Sequence, residues 1–309
     1  MSERIQVILD TDIGTDVDDC LALAVLLGSP EIDLVGVTTV YGDVALRARM
    51  VRKLLHLRGR DEVPVHEGVR EPLVRNRQVY WPGHEGVGLL EAGDDERFGQ
   101  GPGQHAVDFL IERVMRQPGE VHLLAVGPLA NVAAAMIREP GLASNLVHMT
   151  IMGGYIAPWT GGRGTAEHNI LSDPEAARVV FASGAPISLV PLDVTLKTVI
   201  TREDVAEIRE VGTLFHDAVA DQVMLYPPFE NRGGQTFLHD PLAAAGIVRP
   251  DLLEWHELAV DIELAGRLTT GMTVARQPGP QAPATARVAL GVDVIEAQRF
   301  ILDRVCARQ

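Results

Sequence analysis

The sequence predicts an α/β fold, a single domain over residues 1–309 with a mainly parallel, Rossmann-like central sheet flanked by helices and a mostly helical segment capping its mouth. Three observations support this. Short β-branched runs alternate with helical apolar periodicity along most of the chain, the pattern of βαβ units. The first of those runs leads through a dense acidic turn into an apolar helix. From Thr201 the alternation gives way to a mostly helical block, and no internal repeat competes with that reading.

Strands are expected at residues 5–9, 32–40, 121–126, 147–152 and 187–191, and helices at 18–27, 44–57, 106–115, 131–138 and 174–182. Within 44–57, Leu46, Met50, Leu54 and Leu57 recur at helical spacing, so one face should pack on the sheet and leave Arg47, Arg49, Arg52 and Lys53 to solvent. The helical block runs to about residue 225, with a further helix at 240–247. A β-rich tail follows at 258–264, 272–276 and 286–290, and a last helix at 295–304 closes the chain. Two segments look like long loops, 71–104 and the Gly-rich 157–167, and the first exceeds the length that compact domains usually leave without a function.

Of 309 residues, 46% are hydrophobic and 22% charged, an ordinary globular balance. The net charge of −15 disfavours a nucleic-acid partner, because phosphate binding needs clustered Lys and Arg. No apolar run reaches the roughly 18 residues of a membrane span, and the first residues enter a strand without a signal-peptide pattern, so a cytoplasmic location is expected. Cys20 and Cys306 are too few for a disulfide framework and read as structural thiols.

The acidic turn carries the chemistry. Five aspartates, Asp10, Asp12, Asp16, Asp18 and Asp19, lie within ten residues where strand one gives way to helix one. In an open parallel sheet that carboxyl edge is where ligands bind. Carboxylates so crowded repel one another unless a cation neutralises them, and oxygen donors select a hard ion, Ca²⁺ or Mg²⁺. Gly14 permits the sharp turn that aims several side chains at one point. Helix capping accounts for one or two of the five. An Asp-x-Asp pair after a first strand also occurs in phosphotransferases with an aspartyl nucleophile, but those usually carry Thr or Val where this chain has Gly14.

Asp10-Thr11-Asp12-Ile13-Gly14, followed by Asp18-Asp19 and the apolar run Cys20-Leu21-Ala22-Leu23, resembles the opening motif of the inosine–uridine-preferring nucleoside hydrolases. The commoner family spacing is two residues shorter, which leaves Asp16 as an additional carboxylate. Further resemblances are spread over the chain: Val37-Thr38-Thr39-Val40, Val126-Gly127-Pro128-Leu129-Ala130-Asn131, Met152-Gly153-Gly154, Glu167-His168-Asn169 with Asp173-Pro174-Glu175, and His239-Asp240-Pro241-Leu242.

The resemblance implies the nucleoside hydrolase fold and calcium-dependent hydrolysis of the N-glycosidic bond of ribonucleosides, by a homodimer or homotetramer. It implies that Asp12, Asp19, Asp240 and the Val126 carbonyl hold Ca²⁺, with the ribose diol completing the six to eight oxygens that calcium takes. Asp12 would also take the proton of the attacking water. Asp18 would accept from the 2′-hydroxyl, Glu167 and Asn169 would grip the 3′/5′ side, and Met152 would pack beside the sugar. His239 is the candidate leaving-group acid, a role suited to histidine near neutral pH. Trp81 and Trp159 are candidates to stack on the base, and His84 is a further loop candidate.

Three departures fall on the sugar side. Tyr41-Gly42-Asp43 replaces a motif in which Asn is usual, so Asp43 would face the ribose as a pure acceptor. A second customary Asn falls at Gly161, and His168 stands for a typical Phe. A modified or 5′-substituted nucleoside is therefore an alternative substrate, with Arg163 as its potential contact. A calcium-dependent nucleoside or ribose-binding protein without turnover, and a metal-dependent phosphatase, are the alternatives of other classes.

Overall fold

The computed structural model describes residues 4–75, 77–157 and 166–308. Strands β1 (Ile5–Thr11), β2 (Ile32–Thr39), β3 (Val65–Glu67), β4 (Val121–Ala125), β5 (His148–Met152), β6 (Ile187–Val190), β7 (Val199–Thr201), β8 (Gln235–Phe237), β9 (Leu253–Ile262), β10 (Thr273–Arg276) and β11 (Ala286–Val292) form two sheets. Among the described residues the large sheet has nine strands in the order β10-β9-β11-β6-β5-β4-β1-β2-β3, and β7 pairs with β8 in a separate ribbon. From β3 to β11 neighbouring strands run parallel, whereas β9 pairs antiparallel with both β11 and β10. The mainly parallel α/β architecture expected from the alternation is what the chain adopts.

Apolar layers cover both faces of the sheet. One includes Val107, Leu110, Val132 and Val180 from helices Ala106–Arg116, Ala130–Arg138 and Pro174–Phe181. The other is centred on helix Asp18–Leu27, which is buried on every side because its sequence after the two aspartates is apolar all round. Helices His239–Val248 and Val294–Val305 pack against it. Each fully buried Leu or Val there contributes about 1.5–3 kcal/mol, so the helix is a rigid post for what stands at its N-terminus.

Helix Val44–Arg58 corrects one expectation. Arg47 is fully buried, and its neighbours are covered as well: Lys53 bonds Asp94 at 2.7 Å, Arg49 pairs with Asp95, and Arg52 donates to the Phe98 and Val65 carbonyls. The stretch that reads as a long loop folds its own helix, Asp94–Phe98, onto this face. Periodicity marks the apolar stripe but is blind to a polar cover arriving from some forty residues away.

Both cysteines are unpaired, and among the described residues no helix is long and apolar enough to cross a membrane.

Candidate active site

Strand β1 is flanked by β2 on one side and β4 on the other, and the chain winds outward from it in both directions. That reversal leaves a crevice at the carboxyl ends of β1 and β4, where open α/β sheets bind ligands. A cavity of about 300 Å³ occupies it, within the usual size of small-molecule sites. Its floor comes from the β1 turn, its walls from Val126 after β4, Met152 at the end of β5 and residues Glu167 to Asn169. Its far side comes from Tyr226, Pro228, His239 and Asp240.

The carboxylates converge there. Asp18 and Asp19 form the first turn of the buried helix and Asp240 the first turn of helix His239–Val248, and one oxygen of each lies within 4.8 Å of the other two. Asp18 Oδ2 accepts from the Asp240 backbone N–H at 3.3 Å, and Asp19 Oδ1 from the Thr11 hydroxyl. Gly14 turns the loop at φ 110°, where a side chain would be strained. Asp12 is buried beside Gly127, where a Cβ would stand 2.9 Å from Asp12 Oδ1, so only glycine lets β4 close on that carboxylate.

Burial first, and repulsion from neighbouring aspartates second, hold Asp18, Asp19 and Asp240 well above the usual carboxylate range. Among the described residues no basic side chain forms an ion pair with any of the three, although Arg47 acts on Asp19 at a distance. Buried like charges with oxygen-only donors fit a hard divalent cation, which would supply the missing charge. The converging set includes Asp18, expected beside the sugar. Asp12, expected as a ligand, stands next to the set, and its charge raises both Asp19 and Asp240.

A pH dependence follows. Behind the turn, Asp10 is fully buried between Asn131 and Thr38, and burial pushes it from 3.8 up to about 7. A group raised on folding contributes stability that is complete below its unfolded pKa and is lost as pH climbs through the folded value. The chelator-treated protein should therefore melt at progressively lower temperature as pH rises from about 4 through about 7. Added cation should weaken that trend; a melting temperature independent of pH in chelator would contradict it.

On the cavity wall, Glu167 caps helix His168–Ser172. Its carboxylate accepts from the backbone N–H groups of Asn169 (2.7 Å), Ile170 (3.1 Å) and Gly154 (3.0 Å), leaving about one of its four lone-pair positions for a ligand. Asn169 donates to the Val126 carbonyl at 2.6 Å, which ties the two candidates to each other. His239 is oriented by a 2.7 Å contact between its Nδ1 and the hydroxyl of buried Thr195. His84 and Asp16 both line the cavity.

Two expected residues are not among those that line this cavity. Asp43 is exposed and outside the cavity: it caps helix Val44–Arg58 by accepting from Leu46 N at 3.0 Å. Tyr41 and Gly42, which lead into this cap, both have left-handed φ values, 65° and 77°. Trp81 is partly exposed and lies against Gly42, with the Arg47 guanidinium 4.9 Å from its ring, and is not among the residues lining the cavity. Trp159, Gly161 and Arg163 lie outside the described residues.

Arg47, Thr11, Asn131 and Tyr226 are the participants that sequence reasoning missed. Arg47 donates to the carbonyls of Asp12, Ile13 (2.7 Å) and Tyr41 (2.7 Å) and to the Thr15 hydroxyl (2.8 Å), stitching the aspartate turn to the second strand's exit. Each buried acceptor left unpaired costs about 1–3 kcal/mol. Arg47→Met should therefore lower unfolding stability by about 3 kcal/mol, read as a fall in the urea midpoint. A loss below about 1 kcal/mol would show that the turn holds itself.

The family profile described as inosine-uridine preferring nucleoside hydrolase matches residues 7–299. Pyrimidine-specific ribonucleoside hydrolase RihB of Escherichia coli O17:K52:H18 is 34% identical over 94% of this chain and 94% of its own length. Uridine nucleosidase 1 of Arabidopsis thaliana is 32% identical over 88% of this chain and 82% of its own. Among solved structures, a purine-preferring ribonucleoside hydrolase from Gardnerella vaginalis superposes with a TM-score of 0.87 at 32% identity, covering 97% of this chain and 98% of that one. An inosine-guanosine nucleoside hydrolase does so with a TM-score of 0.85 at 25% identity, covering 98% and 99%.

Proposed function

The chain belongs to the inosine-uridine preferring nucleoside hydrolase family and is a ribonucleoside hydrolase, an N-glycosidase; from that premise we propose that Ca²⁺ is its cation and that Asp12 and His239 are its base and acid. The observation that carries this is the convergence of Asp18, Asp19 and Asp240 at the switch point, in the same cavity as Asp12 and His239. In this reading Asp12, Asp19, Asp240 and the Val126 carbonyl hold the ion, with Asp18 beside them. When bound, the ion supplies Lewis acidity toward water and an anchor for the ribose diol.

The chain's own groups do the rest. Asp12 orients the attacking water and accepts its proton at a carboxylate oxygen as the water oxygen bonds to C1′. The C1′–N bond breaks with its electron pair going to the base, and His239 donates a proton to that nitrogen, releasing ribose and free base. As the bond breaks the sugar gains oxocarbenium character, so carboxylates around it bind the transition state better than the neutral substrate. Asn169 and the remaining acceptor position of Glu167 face the sugar from the opposite wall. A cytoplasmic location belongs to the reading, and assembly as a homodimer or homotetramer, on the family resemblance, completes it; light scattering on the purified protein measures the assembly.

Ribose release from inosine, uridine, adenosine, guanosine and cytidine, with and without chelator, tests this reading; turnover unaffected by stripping the cation would overturn it. A 2′-deoxyribonucleoside lacks one anchoring hydroxyl and leaves buried carboxylates unpaired, so its kcat/KM should be lower by at least about 10²-fold. Equal turnover of the two sugars would remove the diol from the account.

A further inference from the structure

Thr195 reaches His239 from a part of the chain to which the catalytic reading gives no role. It ends the short helix Leu192–Thr195 that follows β6, and it is fully buried, with its hydroxyl 2.7 Å from His239 Nδ1. Leu192, at the start of the same helix, lines the cavity together with His239.

The turn that carries Thr195 is fixed on both sides. The Leu192 N–H donates to the Gly154 carbonyl at 3.0 Å, which ties the turn to the wall after β5, and the Thr195 N–H donates to the Pro191 carbonyl at 3.2 Å. Beyond it the Thr198 hydroxyl donates to the Thr195 carbonyl at 3.2 Å, and the Leu238 N–H donates to the Thr198 carbonyl at 3.1 Å. The residue before His239 is thus bonded to the turn that holds Thr195, so hydroxyl and imidazole are placed by one framework. The Phe237 ring also lies against the imidazole, with centroids 5.2 Å apart.

The two nitrogens of an imidazole are distinct, and the bond made at one decides what the other does. We propose that Thr195 is a positioning residue that acts through His239: by holding Nδ1 it makes Nε2 the atom that protonates the leaving base. The inference rests on the reading of His239 as the acid and adds the group that aims it, the third member of a base, acid and orienter arrangement. In the step, the Nε2–H bond breaks and its proton goes to the base nitrogen, which has taken the C1′–N electron pair. The N–H electron pair stays on Nε2, and the neutral ring keeps its Nδ1–H donating to Thr195 Oγ1. A hydroxyl accepts as well as donates, so this contact lasts through the transfer. Valine has the shape of threonine but cannot make it.

The test compares two leaving groups at saturating calcium, in the wild type, Thr195→Val, Thr195→Ser and His239→Ala. Inosine must have its base protonated, whereas 4-nitrophenyl β-D-ribofuranoside releases a stable anion that needs no proton. Thr195→Val should lower kcat for inosine by about tenfold or more, with KM within about threefold, and should change kcat for the nitrophenyl riboside by less than about threefold. Thr195→Ser restores the hydroxyl and should stay within about threefold of wild type on both. Thr195→Ala, equally without a hydroxyl, carries the test if Thr195→Val does not fold. Equal losses on the two substrates, inosine turnover unchanged within twofold, or serine no better than valine would each overturn the proposal. His239→Ala keeping inosine turnover within threefold of wild type would instead overturn the reading of His239 as the acid, and the proposal with it.

Discussion

Asp19→Ala should lower kcat/KM for inosine by about 10³-fold or more, equivalent to about 4 kcal/mol of transition-state stabilisation. Asp19 stands on the first turn of a helix buried on every side and is steered into the cavity by the Thr11 hydroxyl, so no neighbour can replace its oxygen. The same substitution removes a buried like charge that raises both Asp18 and Asp240. In chelator the variant should therefore melt at a higher temperature than wild type. Opposite signs for activity and for cation-free stability identify a functional carboxylate, whereas a structural one would lose both. A rate loss under tenfold would remove Asp19 from the cation's donor set.

Asp12→Asn should lower kcat by about 10³-fold with KM changed little, within the range set by losing a general base. The amide keeps the shape of the carboxylate and fits beside Gly127, where there is no room for a larger group. It can donate and accept hydrogen bonds, but it cannot take the proton of water. Steady-state kinetics at saturating cation give the split. A rise in KM with kcat unchanged would make Asp12 a binding group and leave the base unassigned.

Much of the architecture was legible because its signals are local. Helix Asp18–Leu27 starts at its paired aspartates and ends where its apolar run does, and the parallel sheet follows from the alternation that predicts it. The acidic turn was legible for the same reason, since charges so close in sequence cannot be far apart in space. The illegible parts are decided by partners distant in the chain. Arg47 has the helical phase of a surface residue, yet the carbonyls it holds belong to a turn some thirty-five residues earlier. Tyr226 meets Asp16 across 210 residues, and nothing near Tyr226 in the sequence announces that contact. Strands β3, β7 and β8, three residues each, are too short to show a period. Asp43 shows a further gap: its motif position suggests the ribose, and the folded chain has its carboxylate capping helix Val44–Arg58, a contact the motif does not signal.

Carboxylate chemistry at the switch point is the centre of the account, and direct calcium binding is its most immediate test. Calorimetric titration of the chelator-stripped protein should show one equivalent of calcium per chain in the wild type and none in Asp240→Asn, with hydrolysis returning in the wild type in step with occupancy. A stripped wild type that binds no calcium and still releases ribose from inosine would contradict it.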